Sequence, residues 1–104
     1  MSKLVRDHIP ELFPDSTYRV LEGEEYARAL RAKLEEEVRE YLTDGTPEEL
    51  ADVLEVLRAL AALHGLTPDE LEAMRARKAA ERGGLGGRVW LEGVLEDARK
   101  TNAR

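Results

Sequence analysis

With 104 residues, 42% of them hydrophobic and 37% charged, the chain has the length of one ordinary domain and the composition of a helix former. The absence of cysteine excludes a disulfide scaffold and a thiolate metal site. A formal net charge of −6 opposes a nucleic-acid polymer as partner and leaves a small phosphorylated molecule open as a ligand.

The opening MSKLVRDHIP lacks a long apolar run, and no segment approaches the roughly 20 apolar residues of a membrane span, so a cytoplasmic protein without membrane contact is expected. Residues 1–23 contain Pro10, Pro14 and the short apolar run Tyr18 to Leu21, and read as an irregular arm with one extended piece. From Glu24 a helical core is expected over residues 24–82. Its first helix places Tyr26, Leu30, Leu34, Val38, Tyr41 and Leu42 at spacings of three and four and stops at Asp44-Gly45. The second opens at TPEE, with Thr46 as cap, Pro47 at the first helical position and Glu49 completing a capping box, and ends at His64-Gly65. The third opens in the same way at TPDE, Thr67 to Glu70, and runs to Glu81 or Arg82. Residues 83–104 hold a glycine-rich loop, an apolar piece at Val89 to Leu91 with a brief helical turn, and a polar tail. One all-α domain, a small helical bundle over residues 1–104, is the expected architecture.

Between Glu35 and Glu55 nine carboxylates are mixed with apolar residues. On a helical wheel Glu37 falls inside the apolar stripe of the first helix, with Glu36 and Glu40 along its margin. In the second helix Glu49 projects between the directions of Val56 and Leu60, and Asp52 lies at the edge of the stripe. Helices packed through these stripes bring Glu37, Glu40, Glu49 and Asp52 to one seam, where like charges need protons or cations to neutralise them. Oxygen ligands alone favour Mg²⁺ or Mn²⁺ over Zn²⁺. The plainer alternative is that the acids form a solvated face, as Glu35, Arg39, Glu48 and Arg58 do, and that Glu49 only caps its helix. That alternative accounts poorly for Glu37.

KLEEEVRE at Lys33 to Glu40, followed by EELADVLEVL at Glu48 to Leu57, resembles the paired EExxE and ExxD motifs of the all-α nucleotide pyrophosphohydrolases, the MazG-like and phosphoribosyl-ATP pyrophosphohydrolase-like superfamily. KLVRDHIPEL, YRVLEGEEYARALRAKL and ERGGLGGRVWL are similar to a small single-domain subgroup, so the similar segments reach from Lys3 to Leu91. The resemblance implies Mg²⁺-dependent cleavage of a nucleoside triphosphate between its α and β phosphorus, giving the monophosphate and pyrophosphate. It also implies Glu37, Glu40, Glu49 and Asp52 as metal ligands, Glu36 as an acid that holds or activates water, and catalytic roles for Glu36 and Glu37. The pattern departs from the family in a short connection between Glu40 and Glu49, in His8 where lysine is common, and in Leu85 where an aromatic is usual.

Cations for a triphosphate are available at Lys78 and Arg82, four apart in the third helix, and at Arg88 after the glycine loop, with Lys3 and Arg6 on the arm; a solvated basic face is the alternative for each. Asp7 pairs with Arg6 or caps. His64 is expected to pack or to meet the helix C-terminal carbonyls, and Tyr18 and Trp90 to be core or to stack on a base. Helices this few bury little area alone, and the resemblance implies a site built across subunits, so a homodimer is expected. A di-iron carboxylate protein is disfavoured because neither histidine forms a Glu-x-x-His pair. A helical interaction module with surface acids remains the other class.

Overall fold

The computed structural model describes residues 2–94 and is all-helical there, with α1 at Ile9–Leu12, α2 at Gly23–Asp44, α3 at Pro47–Leu63 and α4 at Pro68–Arg82. None of these helices is long and apolar enough to cross a membrane. The polar tail expected over 95–104 lies outside the described residues.

Local chemistry sets the helix ends. Gly45 closes α2 in the left-handed conformation at φ 68°, its N–H donating to Tyr41 O at 2.8 Å, and only Gly45 and Thr46 separate α2 from α3. A connection this short folds the two long helices into an antiparallel hairpin. Gly65 at φ 80° ends α3 in a Schellman arrangement, with Gly65 N–H donating to Ala62 O and Leu66 N–H to Ala61 O, both at 2.9 Å. At α4 the expected capping box forms: Glu70 N–H donates to Thr67 Oγ1 at 3.1 Å and Thr67 N–H to Glu70 Oε1 at 2.9 Å.

Several local expectations are corrected. Thr46 makes no backbone cap at α3; its hydroxyl donates to the Glu49 carboxylate, which reaches back outside the helix to meet it. The arm contains a helical turn, α1, whose first turn Pro10 presets with His8 as its N-cap residue, and Tyr18 to Leu21 form no strand. The Tyr18 hydroxyl donates to Phe13 O at 2.6 Å and closes the loop after that turn, and Tyr18 is exposed where a core position was one expectation. Arg6 pairs with Asp52 and not with Asp7. His64 is exposed, so only its backbone N–H closes α3. Val89 to Leu91 form no helical turn, and Trp90 is 82% exposed where a core position was one expectation.

The core is thin: among the described residues Leu30 from α2, Val56 and Ala61 from α3, and one charged residue, Glu37, are the buried side chains. Glu37 is 6% exposed while the neighbouring Val38 is 38% exposed, so α2 is turned on its axis relative to the expected stripe, with the acid in and the valine out. α4 packs on α3 alone and buries no residue. The radius of gyration is 18.0 Å, against about 13 Å for a compact domain of this length.

Candidate metal and phosphate site

Glu36, Glu37 and Glu40 occupy consecutive turns of α2, and each offers a carboxylate oxygen within 4.8 Å of the others. They line one wall of a groove of about 360 Å³; Asp52, Glu55 and Val56 of α3 line the opposite wall, and Lys3, Val5, Arg6 and Ile9 of the arm form its rim. A second depression of about 270 Å³ beside Glu36 and Glu40 is lined by α2 residues alone and has no facing wall.

Three cations hold the groove's acids. Lys33 Nζ lies 3.1 Å from Glu37 Oε2 and 3.4 Å from Glu36 Oε1, Lys3 Nζ lies 3.3 Å from Glu36 Oε2, and Arg6 Nη2 lies 2.6 Å from Asp52 Oδ1. The second oxygen of Glu37, Oε1, is buried with no hydrogen-bond partner. A carboxylate oxygen left without a donor in a place water does not reach is costly, and a cation or a proton removes that cost.

The charges shape titration in opposite directions. Burial pushes the Glu36 carboxyl up, but the hydrogen bond from Lys3 and the charges of Lys33 and Lys3 outweigh it and hold the group below its ordinary 4.5. Glu40 makes no ion pair among the described residues; the charge of Glu37, then desolvation, then Glu36 and Glu49 push it above 4.5 against a smaller opposing pull from Lys33. A raised carboxyl weakens the folded state once it is ionised. Metal-free Glu40→Gln is therefore expected to resist urea better than the parent at pH 7, with the gain vanishing as pH falls below 4.5, where both folded and unfolded parent chains carry the proton. Equal gains at pH 7 and at about pH 3.5 would point to packing in place of charge.

Of the expected ligands, the structure brings Glu37, Glu40 and Asp52 to one groove with Glu36. Glu49 stands close enough to raise Glu40 but is held by Thr46 and does not line the groove. Of the expected phosphate contacts, Lys3 and Arg6 reach the acids, whereas Lys78, Arg82 and Arg88 do not line the groove and make no ion pair among the described residues. Arg88 sits at φ 57° and is exposed beyond the glycine loop. Sequence reasoning missed Lys33 and Glu55. The signal for Lys33 was its spacing of three and four from Glu36 and Glu37, on the same helix face.

Comparison with known protein families, with characterised proteins and with solved structures finds no match to this chain.

Proposed function

We propose that the chain is a Mg²⁺-dependent nucleotide pyrophosphohydrolase of the MazG-like type, which hydrolyses a nucleoside triphosphate or a related nucleotide such as phosphoribosyl-ATP to the monophosphate and pyrophosphate. One observation carries this reading: the buried, unpartnered Oε1 of Glu37, set among the carboxylates of Glu36 and Glu40 in a groove that Asp52 also lines. That donor set is oxygen-only, as Mg²⁺ or Mn²⁺ prefers, and fits the ion. Glu37, Glu40 and Asp52 would hold it, and Glu49 would join them by leaving Thr46. A bound divalent cation supplies charge neutralisation at the phosphate oxygens and a lowered pKa for water.

The chain's own residues supply the rest. Glu36, tied to Lys3 and Lys33 below its ordinary pKa, stays ionised at neutral pH and can accept a proton from an attacking water. Lys3 and Arg6 stand at the rim, where their exchange from carboxylate to phosphate costs little because both side chains are more than half exposed. Glu37 and Val56 are the buried residues that line the groove, and a charge at so buried a position interacts more strongly than one in water.

Homodimerisation belongs to this reading. The chain exposes 9244 Å², where a compact monomer of 11.7 kDa exposes about 5,900 Å². Leu50, Leu54 and Leu57 form an exposed apolar row on α3, and Val38 and Leu42 repeat the spacing on α2.

A second reading has an observation in its favour: Lys3, Lys33 and Arg6 already neutralise Glu36, Glu37 and Asp52, so the seam could be a structural ion-pair network in a non-catalytic interaction module. Pyrophosphate release from a panel of canonical and modified nucleoside triphosphates and phosphoribosyl-ATP, with and without Mg²⁺, separates the two. Metal-dependent release is expected; its absence together with no heat of Mg²⁺ binding would establish the ion-pair reading. Glu49→Gln is expected to lower Mg²⁺ affinity about tenfold while metal-free stability changes by a few tenths of a kcal/mol, since the amide keeps an acceptor for Thr46. Unchanged affinity by calorimetry would leave Glu37, Glu40 and Asp52 as the ligand set.

A further inference from the structure

We propose that the apolar segment following α4, anchored by Trp90, docks on the α2–α3 hairpin of a second copy of this chain; the proposal rests on the paired assembly above and names what holds it together. Leu85 and Val89 are 94% and 93% exposed, Trp90 82%, and Leu91 and Val94 about two-thirds. Five apolar side chains in ten residues touching almost nothing form a patch that an isolated chain would not leave in water.

The segment begins at the free end of α4, a helix that packs on α3 alone and buries no residue, in a molecule 59 Å long. It is therefore presented outward, away from the hairpin of its own chain. The hairpin carries the matching apolar row, Leu50, Leu54 and Leu57, also uncovered. The helix that leads into the segment adds charge to the apolar match. From Met74 to Arg88 five basic side chains stand against one acid, whereas α2 and α3 together carry eleven acids against five bases; within the segment itself Arg88 is balanced by Glu92. A reciprocal exchange satisfies both surfaces twice and closes the assembly at two copies. The area exposed beyond that of a compact monomer, about 3,300 Å² per chain, exceeds what a standard interface covers from each partner.

Trp90 is the only tryptophan, so its emission reports docking directly. On dilution of the full chain, emission is expected to move from that of a buried indole to that of an exposed one as the mass by light scattering falls from dimer to monomer. A mixing experiment assigns the direction. The reporter, Leu54→Glu with Leu57→Glu, keeps Trp90 but loses its own receiving row, and both leucines are exposed enough to accept the change. The acceptor, Trp90→Phe, has an intact row and no signal. Alone the reporter is expected to emit as exposed indole and be fully quenched by acrylamide; adding acceptor should shift its emission to the blue and protect it. Trp90→Ala should raise the dimer dissociation constant about tenfold or more. A reporter that stays exposed after acceptor is added would mean that the segment docks on the row of its own chain, protection of the reporter alone would mean that the segment is covered away from that row, and a stable dimer with exposed Trp90 would mean that the helices pair without it; each overturns the proposal and leaves the hydrolase reading standing. A chain monomeric at every concentration would overturn this proposal and the paired assembly together. Helix content by circular dichroism checks the reporter's fold, and should it fail, the wild-type dilution series decides alone.

Discussion

Glu37→Gln is expected to weaken Mg²⁺ binding about a hundredfold, roughly 2.7 kcal/mol, and to abolish metal-dependent turnover. The substitution keeps shape and removes the charge from the one buried acid of the groove, the acid whose Oε1 has no other partner. Metal-free stability should change by about 1 kcal/mol or less, because the amide oxygen still accepts from Lys33, and Lys33 keeps Glu36. Thermal unfolding reads both effects at once. With Mg²⁺ at one hundred times the wild-type dissociation constant, the parent gains about 2.7 kcal/mol and the variant about 0.4. Loss of folding with or without metal, and turnover per folded molecule unchanged, would remove Glu37 from the ligand set.

Lys33→Met has the largest expected effect on the metal-free protein, a destabilisation of about 2 to 3 kcal/mol. Lys33 is 15% exposed in its side chain and, among the described residues, is the only cation that meets both Glu36 and Glu37. Without it Glu36, Glu37 and Glu40 repel one another along one wall of the groove. The cost stays below that of breaking a fully buried pair, because Lys3 still reaches Glu36 from the arm. Its pH window follows from the two groups. Burial pushes the Lys33 ammonium down, but hydrogen bonds and charge from Glu37 and Glu36 outweigh it and hold the group above 10.5. That contribution is full below 10.5 and is lost as pH rises through the folded-state value. Glu36, held below 4.5, contributes above 4.5, and its share is lost as pH falls through its lower folded value. The difference between parent and variant should therefore be flat between these limits and shrink on either side. Mg²⁺ should return most of the loss, since a divalent cation takes over the neutralising role. A deficit that Mg²⁺ leaves untouched would mean that Lys33 serves a structural ion pair and that the groove does not take the metal.

The sequence by itself determined the three long helices to within a residue or so, because their ends are written in local hydrogen-bonding chemistry: Gly45, Gly65 and the Thr67 to Glu70 box act within a single turn. It also marked Glu37 as an acid on a buried face, since the period of a helix is a local property. Only the tertiary structure decided how far α2 turns on its axis, which exposes Val38 and leaves Glu37 without a partner for one oxygen. The same is true of the arm: Arg6 meets Asp52 across 46 residues and Lys3 meets Glu36 across 33, and no spacing rule reaches that far. Two openings that differ only in Glu48 against Asp69, TPEE and TPDE, end differently. Glu70 caps its own helix, whereas Glu49 faces the acids of α2 and gives its carboxylate to the Thr46 hydroxyl, a choice made by the neighbouring helix and not by the four residues themselves.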